Sequence, residues 1–249
     1  ELSIVFATFA RLAVQNIMPF SFHDETQELN QETRRSAGGA FIQLTNGITH
    51  YELGGNESGE IVVLVHGFSV PYFIYDLTFE LLTQSGFRVL RYDLFGRGFS
   101  DRPHVDYNLD LFIQQLTDLL DTLRITQPVN LVGLSMGGPI ASAFTVRHPE
   151  RVRKLILIDP AGAQPIALSP LLKLVKIHLV PEAILSVVGS GAFVKSIAKD
   201  FFDPRLVEHF QVQYAVQMQY KGFKRAILST IRNGMLESFL HVYKTLGKM

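Results

Sequence analysis

The chain has no cysteine, which removes disulfide scaffolds, thiolate metal sites and a cysteine nucleophile together, and leaves the redox compartment open. It has no excess of charge: Lys plus Arg and Asp plus Glu number 23 each. Basic residues occur only singly or in isolated pairs, so no nucleic-acid partner is expected. H-E-x-x-H, the P-loop and carboxylate clusters at metal-ligand spacing are all missing, so neither a metal nor an organic cofactor is expected. Gly96-Arg97-Gly98 begins like a dinucleotide fingerprint, but Asp101 stands where its third glycine belongs and no helix signal follows at once. A tight loop is the reading.

Long hydrophobic runs are scarce as well. Leu2 to Ala10 is almost wholly apolar but too short to cross a bilayer as a helix. It reads either as the end of a signal or anchor segment or as an amphipathic helix packed on the domain. Localisation therefore stands between cytoplasmic and membrane-anchored or exported, and oligomeric state is open.

What is present is enough apolar residue for one large core, 47% of 249 residues, which fits one α/β domain carrying an insertion. Residues 1–36 read as a lead-in whose polar stretch from His23 to Ser36 lies on the surface. Residues 37–164 read as the core and 165–249 as a helical lid. Phe41–Leu44 and Ile48–Leu53 flank Asn46-Gly47, a dipeptide suited to a primed hairpin turn. Strands are then expected at Glu60–Val65, Phe87–Tyr92, Val129–Val132 and Val152–Ile158. The first and last of these read as buried. Helices are expected at Phe73–Gln84, Leu109–Leu123 and Gly138–His148. Such alternation predicts a doubly wound, mostly parallel sheet with its site at the carboxyl ends of the strands. From Leu168 to Leu246 the periodicity is helical, and four helices fit. Phe201, Phe202, Phe210, Tyr214 and Phe223 in this block suit core packing, with an acyl pocket as the alternative.

Chemistry concentrates at Gly133-Leu134-Ser135-Met136-Gly137, between an apolar strand and a run of small residues with Pro139 near the first turn of a helix. A sharp strand-to-helix turn strains its central residue and brings backbone close, so residues two before and two after it must lack side-chain bulk. Gly133 and Gly137 meet that demand, making Ser135 the candidate nucleophile. His66-Gly67-Phe68 directly follows a strand, where its loop can aim a backbone N–H at the same point. Phe68 and Met136 are the candidate oxyanion donors.

His66-Gly67-Phe68, Tyr92-Asp93-Leu94-Phe95-Gly96-Arg97-Gly98-Phe99-Ser100-Asp101 and Gly133-Leu134-Ser135-Met136-Gly137-Gly138 stand in the order and spacing of the α/β-hydrolase superfamily, which the chain resembles strongly from Phe41 to Gly162 and weakly in the lid. Within that superfamily it is similar to microbial carboxylesterases and to the carbon–carbon bond hydrolases of aromatic degradation. A serine nucleophile departs from haloalkane dehalogenases and epoxide hydrolases, which use Asp there. The resemblance asks for an acid after a later strand and a His near the end of the chain. Neither is found, so the chain is expected to stop before those strands, roughly 50 residues short of a whole domain, and by itself to be inactive. Asp159, ending a strand, is the substitute candidate for the acid. His178, His209 and His241 are weak candidates for the base, while His50, His66 and His148 read as structural, and Asp93 as a brace for its glycine-rich turn.

The expected function is hydrolysis of a small carboxylic ester with an apolar acyl side, through an acyl-enzyme on Ser135: a carboxylesterase or lipase-like activity of the carboxylic ester hydrolase class. Cleavage of a carbon–carbon bond beside a ketone is the alternative. A ligand-binding protein on a hydrolase scaffold is the alternative of another class. A later strand ending in Asp, followed by a loop His, would exclude it.

Overall fold

Ile61–Val65 reads IVVLV, and each of its side chains is buried. A strand with no polar face must be covered on both sides, which places it in the middle of a sheet. The computed structural model, which describes residues 22–165 and 204–249, puts it there. In chain order the described elements are α1 (Gln31–Ser36), β1 (Ala40–Leu44), β2 (Gly47–Gly55), β3 (Ile61–Val65), a single 3-10 turn (Tyr72–Tyr75) leading into α2 (Asp76–Gln84), β4 (Arg88–Tyr92), α3 (Leu109–Thr122), β5 (Val129–Leu134), α4 (Gly137–Arg147), β6 (Val152–Ile158), α5 (Pro204–Met218), α6 (Phe223–Arg232) and α7 (Leu240–Leu246). The six strands lie in the order β1-β2-β4-β3-β5-β6. The first two join antiparallel, and β4, β3, β5 and β6 run parallel. This is the mixed, mostly parallel α/β sheet that the alternation predicts.

Three expectations need correction. The β1–β2 register closes at Leu44 opposite Gly47, so the two-residue turn is Thr45-Asn46 and Gly47 opens the strand. Its φ of +145° is open to glycine, and a Cβ there would lie 2.9 Å from Asp101 Cβ. Close approach to the Asp101 loop, rather than a primed turn, explains this glycine. Second, β6 is not buried. Ile156 and Ile158 are 41% and 43% exposed, because among the described residues β6 pairs on one side only, with β5. Third, the polar stretch before α1 is tied into the helical block. Glu25, 6% exposed, accepts from the Gly222 and Lys224 N–H groups at 2.7 Å each. A carboxylate placed on the free amides of a helix N-terminus satisfies donors that the helix cannot. Asp24 pairs with the buried Lys224 ammonium.

Helices α5 and α6 share a core with the loop after β3: Tyr214, Met218, Phe223 and Ile227 pack with Phe68, Val70 and Phe73. Phe210, also buried, lies against Phe73. The helical block thus stands over the carboxyl ends of the strands, and Phe210, Tyr214 and Phe223 take part in its packing. Phe201, Phe202 and His178 lie outside the described residues, as do Leu2–Ala10 and the stretch before α5 where part of the four-helix expectation falls.

Candidate active site

Between the end of β5 at Leu134 and the start of α4 at Gly137 the chain reverses within two residues, and Ser135 takes a φ of +52°. An L-residue in that left-handed region is strained by roughly 1–2 kcal/mol, so the surroundings must hold it. They do so through backbone. Ser135 N–H donates to the Ile158 carbonyl at 3.0 Å, and its own carbonyl accepts from Gly138 at 2.9 Å and Ala161 at 3.0 Å. The turn is so tight that a Cβ on Gly133 would sit 2.4 Å from Gly137 O, and one on Gly137 would sit 2.2 Å from Val65 O. Both positions require glycine.

The loop after β3 passes directly beside the serine. A Cβ on Gly67 would lie 3.2 Å from Ser135 Cβ and 3.7 Å from its Oγ. Phe68 follows, and Met136, fully buried, caps α4 at its positive end. Among the described residues the N–H groups of Phe68 and Met136 meet no acceptor, and Ser135 Oγ makes no hydrogen bond. A half-buried hydroxyl and two unpaired amides, at the mouth of a helix and a neighbouring loop, suit attack on a carbonyl whose oxygen gains charge.

Asp159 follows β6 directly, with a φ of +41°, and is exposed. It lies in the segment whose Ile158 and Ala161 bond to Ser135, so the structure brings it to the elbow. The imidazoles are elsewhere. His50 is buried, with Nδ1 2.7 Å from Asp93 Oδ2 and Nε2 2.6 Å from Gly38 O. His148 caps α4 against the Phe144 ring, and His209 contacts Gln213 at an exposed site. His241 lines a cavity with Ala143, Val146 and Arg147, the first of which lies six residues into α4 from Gly137 and therefore roughly 9 Å down the helix. No described histidine is brought to the serine.

Asp93 is the brace its position suggests. Beyond His50, it accepts from the N–H of Tyr72 at 2.9 Å and of Phe99 at 3.0 Å, joining the loops after β3 and β4. Burial by itself would raise its pKa, but the hydrogen bond with His50 and the Tyr72 N–H hold the carboxyl below its usual range. Gly96 and Gly98 both have positive φ within the tight loop expected of them.

His66 carries a consequence for pH. It is fully buried, Nδ1–H donating to the Gly67 carbonyl and Nε2 accepting from Leu94 N–H, 2.9 Å each, so it braces the serine-side loop as a neutral ring. Burial lowers its pKa from 6.5 to about 4. Between those values an unfolded chain takes up a proton that the folded one refuses. This contribution to stability is therefore present above pH 6.5 and lost as pH falls toward 4. Folding stability is expected to drop by about 2 kcal/mol from pH 7 to pH 5, measured by urea unfolding at each pH. Equal stabilities would contradict the neutral buried ring.

A family model described as the alpha/beta hydrolase fold matches residues 60–213, which include Phe68, Ser135, Met136 and Asp159. The chain belongs to the α/β-hydrolase family. It is 47% identical over 76 residues to a 2-hydroxymuconate semialdehyde hydrolase of Pseudomonas sp. (strain CF600), a match covering 30% of this chain and 26% of that protein. It is 37% identical over 113 residues to human epoxide hydrolase 4, covering 44% and 30%. The chain thus spans under a third of the length of these curated relatives. Among solved structures, the enol-lactonase from Burkholderia xenovorans LB400 superposes with a TM-score of 0.61 at 25% identity, over 78% of this chain and 72% of that one.

Within this α/β-hydrolase site the sequence reading missed Arg97. Its guanidinium is fully buried and bonds the Phe68 carbonyl at 2.8 Å, the Phe95 carbonyl at 3.1 Å and the Thr230 hydroxyl at 2.9 Å. An arginine between two glycines signals only a loop. Its acceptors are known only once the chain has folded.

Proposed function

We propose that the protein is a serine hydrolase acting on small carboxylic esters with an apolar acyl side. Ser135 Oγ attacks the ester carbonyl and gives up its proton, the Phe68 and Met136 N–H groups stabilise the oxyanion, the bond to the alcohol oxygen breaks as that oxygen takes up the proton, and water then cleaves the acyl-enzyme, releasing the acid and restoring the Ser135 hydroxyl. Asp159, at the strand end beside the elbow, is the residue present that suits an orienting acid. The carrying observation is Ser135 at φ +52° with Gly67 packed against its side chain: a strained hydroxyl held at the crossing of two strand-end loops.

Carbon–carbon bond cleavage is the second reading, favoured by the match to the semialdehyde hydrolase. A dienoate substrate needs a cationic subsite for its carboxylate. Among the described residues the buried guanidiniums of the loop after β4, Arg97 and Arg102, are turned onto carbonyls: Arg102 bonds Ser100 O at 2.5 Å and Gly98 O at 2.6 Å. That favours the ester. A panel of short-chain aryl esters against dienoate ketones separates the two. Ester turnover without ketone cleavage is expected, and preferential loss of the dienoate chromophore would reverse the choice. Saturable binding of both with turnover of neither would favour a ligand-binding role.

A further inference from the structure

Two consecutive carbonyls of the loop beside Ser135 are held, the first by Arg97 of the loop after β4, which itself bonds α6, and the second by Gln217 of α5. The Phe68 carbonyl accepts from Arg97 Nε, whose other terminal nitrogen reaches Thr230 of α6. The Ser69 carbonyl accepts from Gln217 Nε2 of α5 at 3.2 Å, while Gln217 Oε1 takes the Gly98 N–H at 2.8 Å. Arg97, Gln217 and Thr230 are 0%, 2% and 0% exposed. Among the described residues Arg97 has no carboxylate partner, and its hydrogen bonds all go to neutral oxygens. A buried cation held this way depends on the placement of its acceptors, and in turn fixes them.

We propose that Arg97 and Gln217 are positioning residues that aim the Phe68 N–H at the oxyanion, so that the seating of α5 and α6 sets the competence of a donor on the sheet side. This rests on the serine-hydrolase reading for its catalytic meaning. The Phe68 N–H shares its rigid peptide plane with the Gly67 carbonyl, which accepts from His66 Nδ1–H at 2.9 Å, and the next two planes are those of the held Phe68 and Ser69 carbonyls. With Gly67 against Ser135 on one side and the carbonyls of Phe68 and Ser69 held on the other, the direction of the Phe68 N–H has little freedom left. Arg97 acts through the loop and touches no reacting atom. Thr230 acts through Arg97.

The test uses Arg97→Lys, which keeps the charge but loses the fork, and Thr230→Val, a milder change that keeps the side-chain shape. Backbone amide chemical shifts are read by nuclear magnetic resonance, and kcat and KM on an aryl ester are read alongside. Removing an oxyanion donor costs about 10²–10³ in rate, so misaiming one should cost Arg97→Lys about tenfold in kcat with KM nearly unchanged. The Phe68 and Ser69 amide shifts should move while those of β3 and β5 stay in place. Thr230→Val should move both readouts the same way by less, and add nothing in the Arg97→Lys background. Unchanged Phe68 and Ser69 shifts in a folded variant, or changes spread evenly over the sheet, would overturn the proposal. Absence of ester turnover in the unsubstituted protein would count against the hydrolase reading alone, since the amide shifts still decide the positioning. Should Arg97→Lys fail to fold, Thr230→Val gives the decision.

Discussion

Ser135→Ala is expected to lower ester turnover by the protein that carries this chain to the level sustained by binding and the oxyanion donors, roughly 10³–10⁴ over water. The substitution removes one oxygen that makes no hydrogen bond among the described residues, so folding should survive. The backbone is a different matter. At φ +52° the residue is strained, and Ser135→Gly should raise stability by about 1 kcal/mol while losing the same turnover. A gain in stability on loss of activity is what a hydroxyl held in place for chemistry predicts. Initial rates on an aryl ester and urea midpoints for the two variants check both statements. Near-normal turnover in Ser135→Ala would remove Ser135 from the mechanism.

Gly137→Ala is expected to cost about 3 kcal/mol or more, because overpacking that pushes on backbone is relieved only by moving it. The added Cβ would lie 2.2 Å from Val65 O and 2.8 Å from His66 O. Val65 ends β3 and His66 follows it directly, and β3 pairs with β4 and β5 on its two sides and cannot shift without disturbing the centre of the sheet. Gly38→Ala provides the comparison. No atom lies within 4 Å of its Cβ position, so a change within about 0.5 kcal/mol is expected. Urea unfolding of both variants measures the difference. Similar stabilities would show that the elbow has room the structure does not contain.

The central strands were legible because local composition and burial agree there. IVVLV at β3 is apolar at each position and buried at each position, and β5 ends within two residues of its expected boundary. The elbow was legible because its pattern is local: Gly133 answers a demand set by Gly137, although the demand on Gly137 itself comes from Val65 at the end of β3. Legibility fails where the partner is remote. The exposure of β6 depends on what pairs with its outer edge, which the run VRKLILI cannot announce. Arg97 meets Thr230 across 133 positions and Gln217 meets Ser69 across 148, so the grip on the oxyanion loop has no local signature. The hairpin is a smaller case. Asn46-Gly47 has the composition of a primed turn, yet the tertiary contact of Gly47 with Asp101 sets the register one residue earlier.

Covalent labelling with a fluorophosphonate, followed by peptide mapping, tests the central claim most directly. A nucleophilic serine beside two oxyanion donors should yield one adduct per chain, on Ser135, and none in Ser135→Ala. An adduct on another residue, undiminished labelling in Ser135→Ala, or no adduct on a protein that hydrolyses esters would contradict the assignment of Ser135 as the nucleophile.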